Sequence, residues 1–140
     1  GLKPAGFEGA AVDQVLGLCQ EVTDQVMSWF VEEDDEKKEE LQLALKQSLP
    51  KTFIKFESML KENGGNGYFV GPTMTLADIA AWKVVGWLIN EANFPEALGG
   101  YPYLSPVPKL TAHFRSIEKL PKIVQYIRSK GSSYDLHAYD

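Results

Sequence analysis

The sequence predicts an all-α fold, a five-helix bundle with the third helix buried at its centre. Three observations carry this reading. Apolar residues recur every three or four positions over long stretches, the repeat of a helix with one buried face. No segment alternates apolar and polar residues for long enough to make a strand. Glycine, proline and asparagine gather between the periodic stretches, where a chain has to turn.

The first helix is expected between Phe7 and Phe30. Ala11, Val15, Leu18, Val22, Val26 and Trp29 form its apolar stripe, and Asp13, Gln14, Gly17, Glu21, Asp24 and Ser28 its polar face. "VEEDDEKKEE", Val31 to Glu40, reads as a solvated connection and helix start. Glu33/Lys37 and Asp34/Lys38 stand at i,i+4 in the favourable order, each pair contributing about 0.2–0.5 kcal/mol. A second helix follows from about Glu36 to Glu62, with Leu41, Leu45, Leu49, Phe53, Phe56 and Leu60 in phase. Pro50 falls inside it. An interior proline costs about 3 kcal/mol and bends the axis, but the stripe continues beyond it, so one kinked helix is expected. "NGGNG" at Asn63–Gly67 ends this helix, because these residues tolerate the left-handed conformation of a helix terminus.

The third helix, Thr75 to about Asn90, is apolar almost all the way round, as a helix at the centre of a domain must be. Trp82 and Trp87 belong to that core. "FPEALGGYPYLSPVP", Phe94 to Pro108, is a proline- and glycine-rich connection in which Tyr101 and Tyr103 read as packed loop residues. Two short helices complete the bundle, Lys109–Lys119 and Pro121–Lys130, the second opened by a proline suited to a first turn. Ser132 to Asp140 is a tail, either frayed or folded over a pocket as a lid.

Composition bounds the function. With 140 residues, 44% hydrophobic and 24% charged, the chain is long enough for one domain and needs neither metal nor disulfide to hold it. The net charge of −5 disfavours nucleic acid and anionic membrane surfaces as partners. No apolar run reaches membrane-span length. The one cysteine, Cys19, excludes an internal disulfide and fits a reducing, cytoplasmic compartment. It lies toward the apolar side of the first helix and reads as an inert buried thiol. His113 and His137 stand apart from any Cys/His/carboxylate set, so no metal site is expected.

Thr75 and Asp78 raise a sharper question. They have the spacing of a capping box, in which an N-cap hydroxyl accepts from the third helical N–H while the side chain at that third position accepts from the N-cap N–H. Met74 and Ile79 stand at the flanking staple positions. The other reading is a catalytic hydroxyl and carboxylate, but the sequence offers no nearby base. The pair therefore reads as structural, the firm start that a buried helix needs.

"YFVGPTMTLADIAAW", Tyr68 to Trp82, resembles the element that opens the central helix in the C-terminal domain of cytosolic glutathione transferases. The resemblance covers nearly the whole chain. "AAVDQVLGLCQEVTD" looks like the first helix of that domain in the sigma-like class, "LPKTFIKFESMLKENG" like its second, and "FRSIEKLPKIVQYIRSK" like its last two. It implies a single helical domain over residues 1–140, and a thioredoxin-like N-terminal domain that supplies most of the glutathione site and the thiol-activating residue. This chain, which opens "GLKPAGF", is expected to begin where that domain ends and to be catalytically silent by itself.

The resemblance also implies site residues. Glu21 falls where an acidic residue reaches across a two-fold axis to the glutathione amino group of the other subunit. It reads equally as a solvated helix glutamate. Thr23, Met27 and Ser28 fall where the hydrophobic electrophile pocket is lined, though each could merely pack or face water. Glutathione would be a co-substrate of the parent enzyme, the protein needing no cofactor of its own. The parent would conjugate or isomerise small hydrophobic electrophiles as a homodimer, a detoxification chemistry. Gly17 in mid-helix points the same way, since glycine there costs about 1 kcal/mol against alanine and close approach of a second first helix would compensate. The alternative is a non-catalytic interaction module of the elongation-factor or synthetase-complex type. The sequence upstream, a thioredoxin-like domain intact or decayed, separates the two.

Overall fold

The computed structural model describes residues 6–89 and 107–129. Five α-helices occupy them: α1 (Gly6–Val31), α2 (Asp35–Glu62), α3 (Leu76–Ile89), α4 (Pro108–Glu118) and α5 (Pro121–Ser129). No strand occurs among the described residues. Residues 94–106 of the expected connection, with Tyr101 and Tyr103, lie outside them, as do the tail and His137.

The helices pack as a ring. α1 lies against both α2 and α3, α4 lies against both α2 and α3, and α5 rests on α4. Each turns its apolar stripe inward. Val12, Val15, Leu18, Val22, Val26 and Trp29 of α1 are buried against Leu45, Leu49, Phe53, Phe56 and Leu60 of α2 and Val85, Leu88 and Ile89 of α3 in one core. A buried leucine or phenylalanine contributes roughly 1.5–3 kcal/mol, so these stripes dominate the folding free energy. Trp82 is buried, and Trp87 is half-buried against the core. α3 meets α4 closely because position 86 is glycine: a Cβ there would lie 3.0 Å from the Phe114 ring.

α2 runs through Pro50 without ending. Nearby hydroxyls bond back to the helix, Ser48 to the Leu45 carbonyl and Thr52 to the Ser48 carbonyl. Neither expected ion pair at the start of α2 closes. The Lys38 ammonium lies instead 5.2 Å from the centre of the Trp29 ring. The reason is energetic: an exposed i,i+4 pair contributes only a few tenths of a kcal/mol, and the face of a large indole competes with it for the cation.

The turn from α2 to α3 is built on asparagine side chains. Asn63 Nδ2 donates to the carbonyls of Tyr68 and Gly71, both at 2.9 Å, and its Oδ1 accepts from Gly71 N–H at 3.1 Å. Gly71 has φ of 65°, a left-handed conformation that glycine adopts without strain.

Candidate functional site

The outward face of α1 carries the residues singled out by resemblance. Helical spacing places Gly17, Glu21, Asp24 and Ser28 on one stripe with Met27 at its edge, while Thr23 lies about 130° round the helix, at the border of the buried face. Glu21 and Ser28 are exposed, Met27 is 43% exposed and Thr23 is half-buried. The two hydroxyls are spent locally: Thr23 donates to the Cys19 carbonyl at 2.8 Å and Ser28 to the Asp24 carbonyl at 2.9 Å. Both keep oxygen lone pairs for a ligand. Past Met27 the surface turns apolar through Phe30 (48% exposed) and Val31 (67% exposed). Gly17 is exposed in ordinary helical geometry, and a Cβ added there would meet nothing within 4 Å. Nothing among the described residues requires glycine at this position.

Under this face, Cys19 is buried. Desolvation pushes its thiol from the ordinary value of 9.0 up to about 11, a hydrogen bond from the backbone opposing this only in part. The inert reading of Cys19 has this physical cause, because the thiolate is the reactive form.

The start of α3 is more elaborate than a capping box. Asp78 is fully buried and accepts three hydrogen bonds. Thr75 N–H reaches its Oδ2 at 2.8 Å, Phe69 N–H its Oδ1 at 3.0 Å, and His113 Nε2 the same Oδ1 at 2.9 Å. The carboxylate thus ties together the turn before α3, the helix start and α4. The other arm of the box does not form. Thr75 Oγ1 is buried with no hydrogen-bond partner, because the Asp78 N–H it would take already donates to the Thr75 carbonyl at 3.1 Å.

His113 corrects the sequence reading in one respect: a base does stand beside Asp78. Its Nε2 is taken up by Asp78, and its Nδ1 is left without a partner. The ring lies edge-on to Phe69 at 4.7 Å between centroids. All three groups are buried, and the hydrogen bonds of Asp78 join three elements of the fold, while His113 also lines a cleft between α2 and α4. His113 was legible in part, since it shares the spacing of Leu110, Phe114 and Ile117, the apolar stripe of α4.

Glu57 is a second buried carboxylate, missed in the sequence. It accepts from the backbone N–H groups of Lys109 at 3.0 Å and Leu110 at 2.7 Å. Val107, at the N-cap position of α4, makes no side-chain cap, so a residue of α2 caps α4 from outside. The negative charge also faces the positive end of the α4 dipole.

Among the described residues no group of three His, Cys, Asp or Glu side chains is placed to hold a metal ion. No helix among them is long and apolar enough to cross a membrane. What the described residues define is a helical domain with two buried carboxylates, Glu57 and Asp78, at its junctions and its other acidic residues toward solvent. The family model for the glutathione S-transferase C-terminal domain matches residues 20–130, and the chain belongs to that family. A glutathione S-transferase of Plasmodium yoelii yoelii is 35% identical over 89 residues, 64% of this chain and 38% of that protein. One of Gallus gallus is 28% identical over 112 residues, 80% of this chain and 49% of that protein. The chain therefore spans half or less of the curated relatives it matches. A solved structure of prostaglandin synthase D of Nilaparvata lugens has the same fold, with a TM-score of 0.75 at 20% identity, covering 92% of this chain and 61% of that one.

Proposed function

We propose that this chain is the helical half of a sigma-like, cytoplasmic glutathione transferase. A thioredoxin-like domain would bind and ionise glutathione. The α1 face would supply the apolar electrophile site, with Thr23, Met27 and Ser28 beside the bound substrate, and Glu21 would reach the glutathione ammonium of the opposite subunit in a homodimer. The reaction class is conjugation or isomerisation of small hydrophobic electrophiles. The contribution of this half is positional: holding an apolar substrate beside a thiolate activated elsewhere removes the entropic part of the barrier. The observation that carries the reading is the family match over residues 20–130, which contains all of these positions. The open face at Gly17 supports it, because a glycine unexplained by the described residues suits close approach of another helix.

Two measurements test this. The 140-residue chain, given glutathione and 1-chloro-2,4-dinitrobenzene, is expected to show only the uncatalysed rate. Turnover clearly above that rate would overturn the division of labour. Sedimentation across a concentration series is expected to show association that Gly17→Leu abolishes while the circular dichroism of the monomer is unchanged. Identical association of the two proteins would remove α1 from the interface.

A further inference from the structure

A cleft of about 560 Å³ opens between the C-terminal half of α2, the turn after it and α4. It shares no residue with the α1 face. Lys61 stands on one wall and Lys109 on the other. Neither ammonium is within ion-pair distance of a carboxylate among the described residues. In a chain of net charge −5, two uncompensated ammonium groups facing one cleft are a local reversal of sign. The acid that shares the cleft, Glu57, is 4% exposed and bound to two backbone N–H groups of α4, so its charge is largely answered.

The third wall is the glycine turn. Gly65 and Gly67 line the cleft with φ of 66° and 93°, and the missing side chains leave the backbone bare toward it. Lys109 Nζ reaches across to this turn, lying 3.1 Å from where a Gly65 Cβ would stand. Leu60, Tyr68 and Ala112 add apolar lining between the charges. We propose that this cleft binds a small organic anion, a carboxylate or phosphate monoester on a short apolar body, its charged group held between Lys61 and Lys109. Charge complementarity selects the head group, and the apolar lining selects the body. The site rests on no part of the transferase reading and stands or falls without it.

The test is a calorimetric and NMR titration of the 140-residue chain with 1-naphthyl phosphate, 1-naphthoate, neutral 1-naphthol and inorganic phosphate. Both charged aryl probes are expected to bind and to move the amide signals of Gly65, Gly67 and Lys109. The tighter of the two identifies the preferred head group. Naphthol and inorganic phosphate are each expected to bind at least tenfold more weakly. The double variant Lys61→Gln/Lys109→Gln changes two exposed side chains, keeps the fold by circular dichroism, and is expected to lose tenfold or more in affinity for the charged aryl probes. Added salt should weaken the wild-type complex in the same direction. Unchanged affinity in the double variant, equal binding of naphthol, no binding of either charged aryl probe, or signals moving on α1 instead of the cleft would each overturn the proposal.

Discussion

The α1 face and the Asp78 junction hold the same kind of group in opposite ways. Asp78 is fully buried, with three donors on two oxygens. Glu21 is exposed and has no fixed partner among the described residues. A buried carboxylate has to be fully satisfied or it destabilises the fold, so everything it can bind is already bound. An exposed one contributes little to stability and keeps its valences for something else. The difference separates where this domain is held together from where it is open to solvent.

The largest break in that contrast should come from Asp78→Ala. It leaves the N–H groups of Phe69 and Thr75 and both ring nitrogens of His113 without partners, a loss of about 3–5 kcal/mol. Urea denaturation should place Glu21→Ala within about 0.5 kcal/mol of wild type. Similar midpoints for the two variants would erase the distinction. Glu57→Ala comes next. Two buried N–H groups of α4 lose their acceptor, costing about 1–3 kcal/mol, and amide hydrogen exchange at Lys109 and Leu110 should accelerate far more than at α1.

Cys19 extends the contrast to pH. Its folded thiol titrates near 11, above the ordinary 9.0, so the folded state binds the extra proton between these values. Stability should therefore be fully present below pH 9 and fall as pH rises toward 11. Cys19→Ala should lack this component, and the difference between the two denaturation curves across pH 8–11 isolates it. The smallest effect is expected at Thr75→Val. The hydroxyl is buried without a partner, so the isosteric change should alter stability by no more than about 0.5 kcal/mol, or raise it. A loss near 1 kcal/mol would mean that the hydroxyl caps α3 after all.

The helices themselves were legible. Periodicity and the punctuation of Pro108, Pro121 and "NGGNG" placed both ends of α2 and α4, and the starts of α3 and α5, within one residue of those observed. The carboxylate junctions were not, because their partners are remote: Glu57 lies 52 and 53 residues from the amides it caps, and His113 lies 35 residues from Asp78. Spacing along one helix carries no record of such pairings. One signal was nevertheless present. Glu57 follows Phe53 by four and precedes Leu60 by three, inside an apolar stripe, and His113 sits likewise between Leu110 and Ile117. A titratable residue on the buried face of a helix announces a buried partner, though not its identity. On α1, Glu21, Met27 and Ser28 are exposed as on any outward helix surface and Thr23 is half-buried, and a role for them rests on the family.

The Asn63–Gly64 step is also a chemical clock. In such a step the glycine nitrogen can attack the asparagine side-chain carbonyl, closing a succinimide and releasing ammonia. Hydrolysis then leaves an acid in place of the amide. Here the Gly64 nitrogen donates to the Lys61 carbonyl at 3.0 Å, and the Asn63 amide is fastened to Tyr68 and Gly71. Nucleophile and target are both held while the turn is closed, so the reaction runs only when it opens. Once it has run, an anionic oxygen would face two carbonyls where two N–H donors had stood, and the turn would not close as before. Ageing of this domain is therefore governed by how often one turn unfastens, and each such opening risks a change that cannot be reversed.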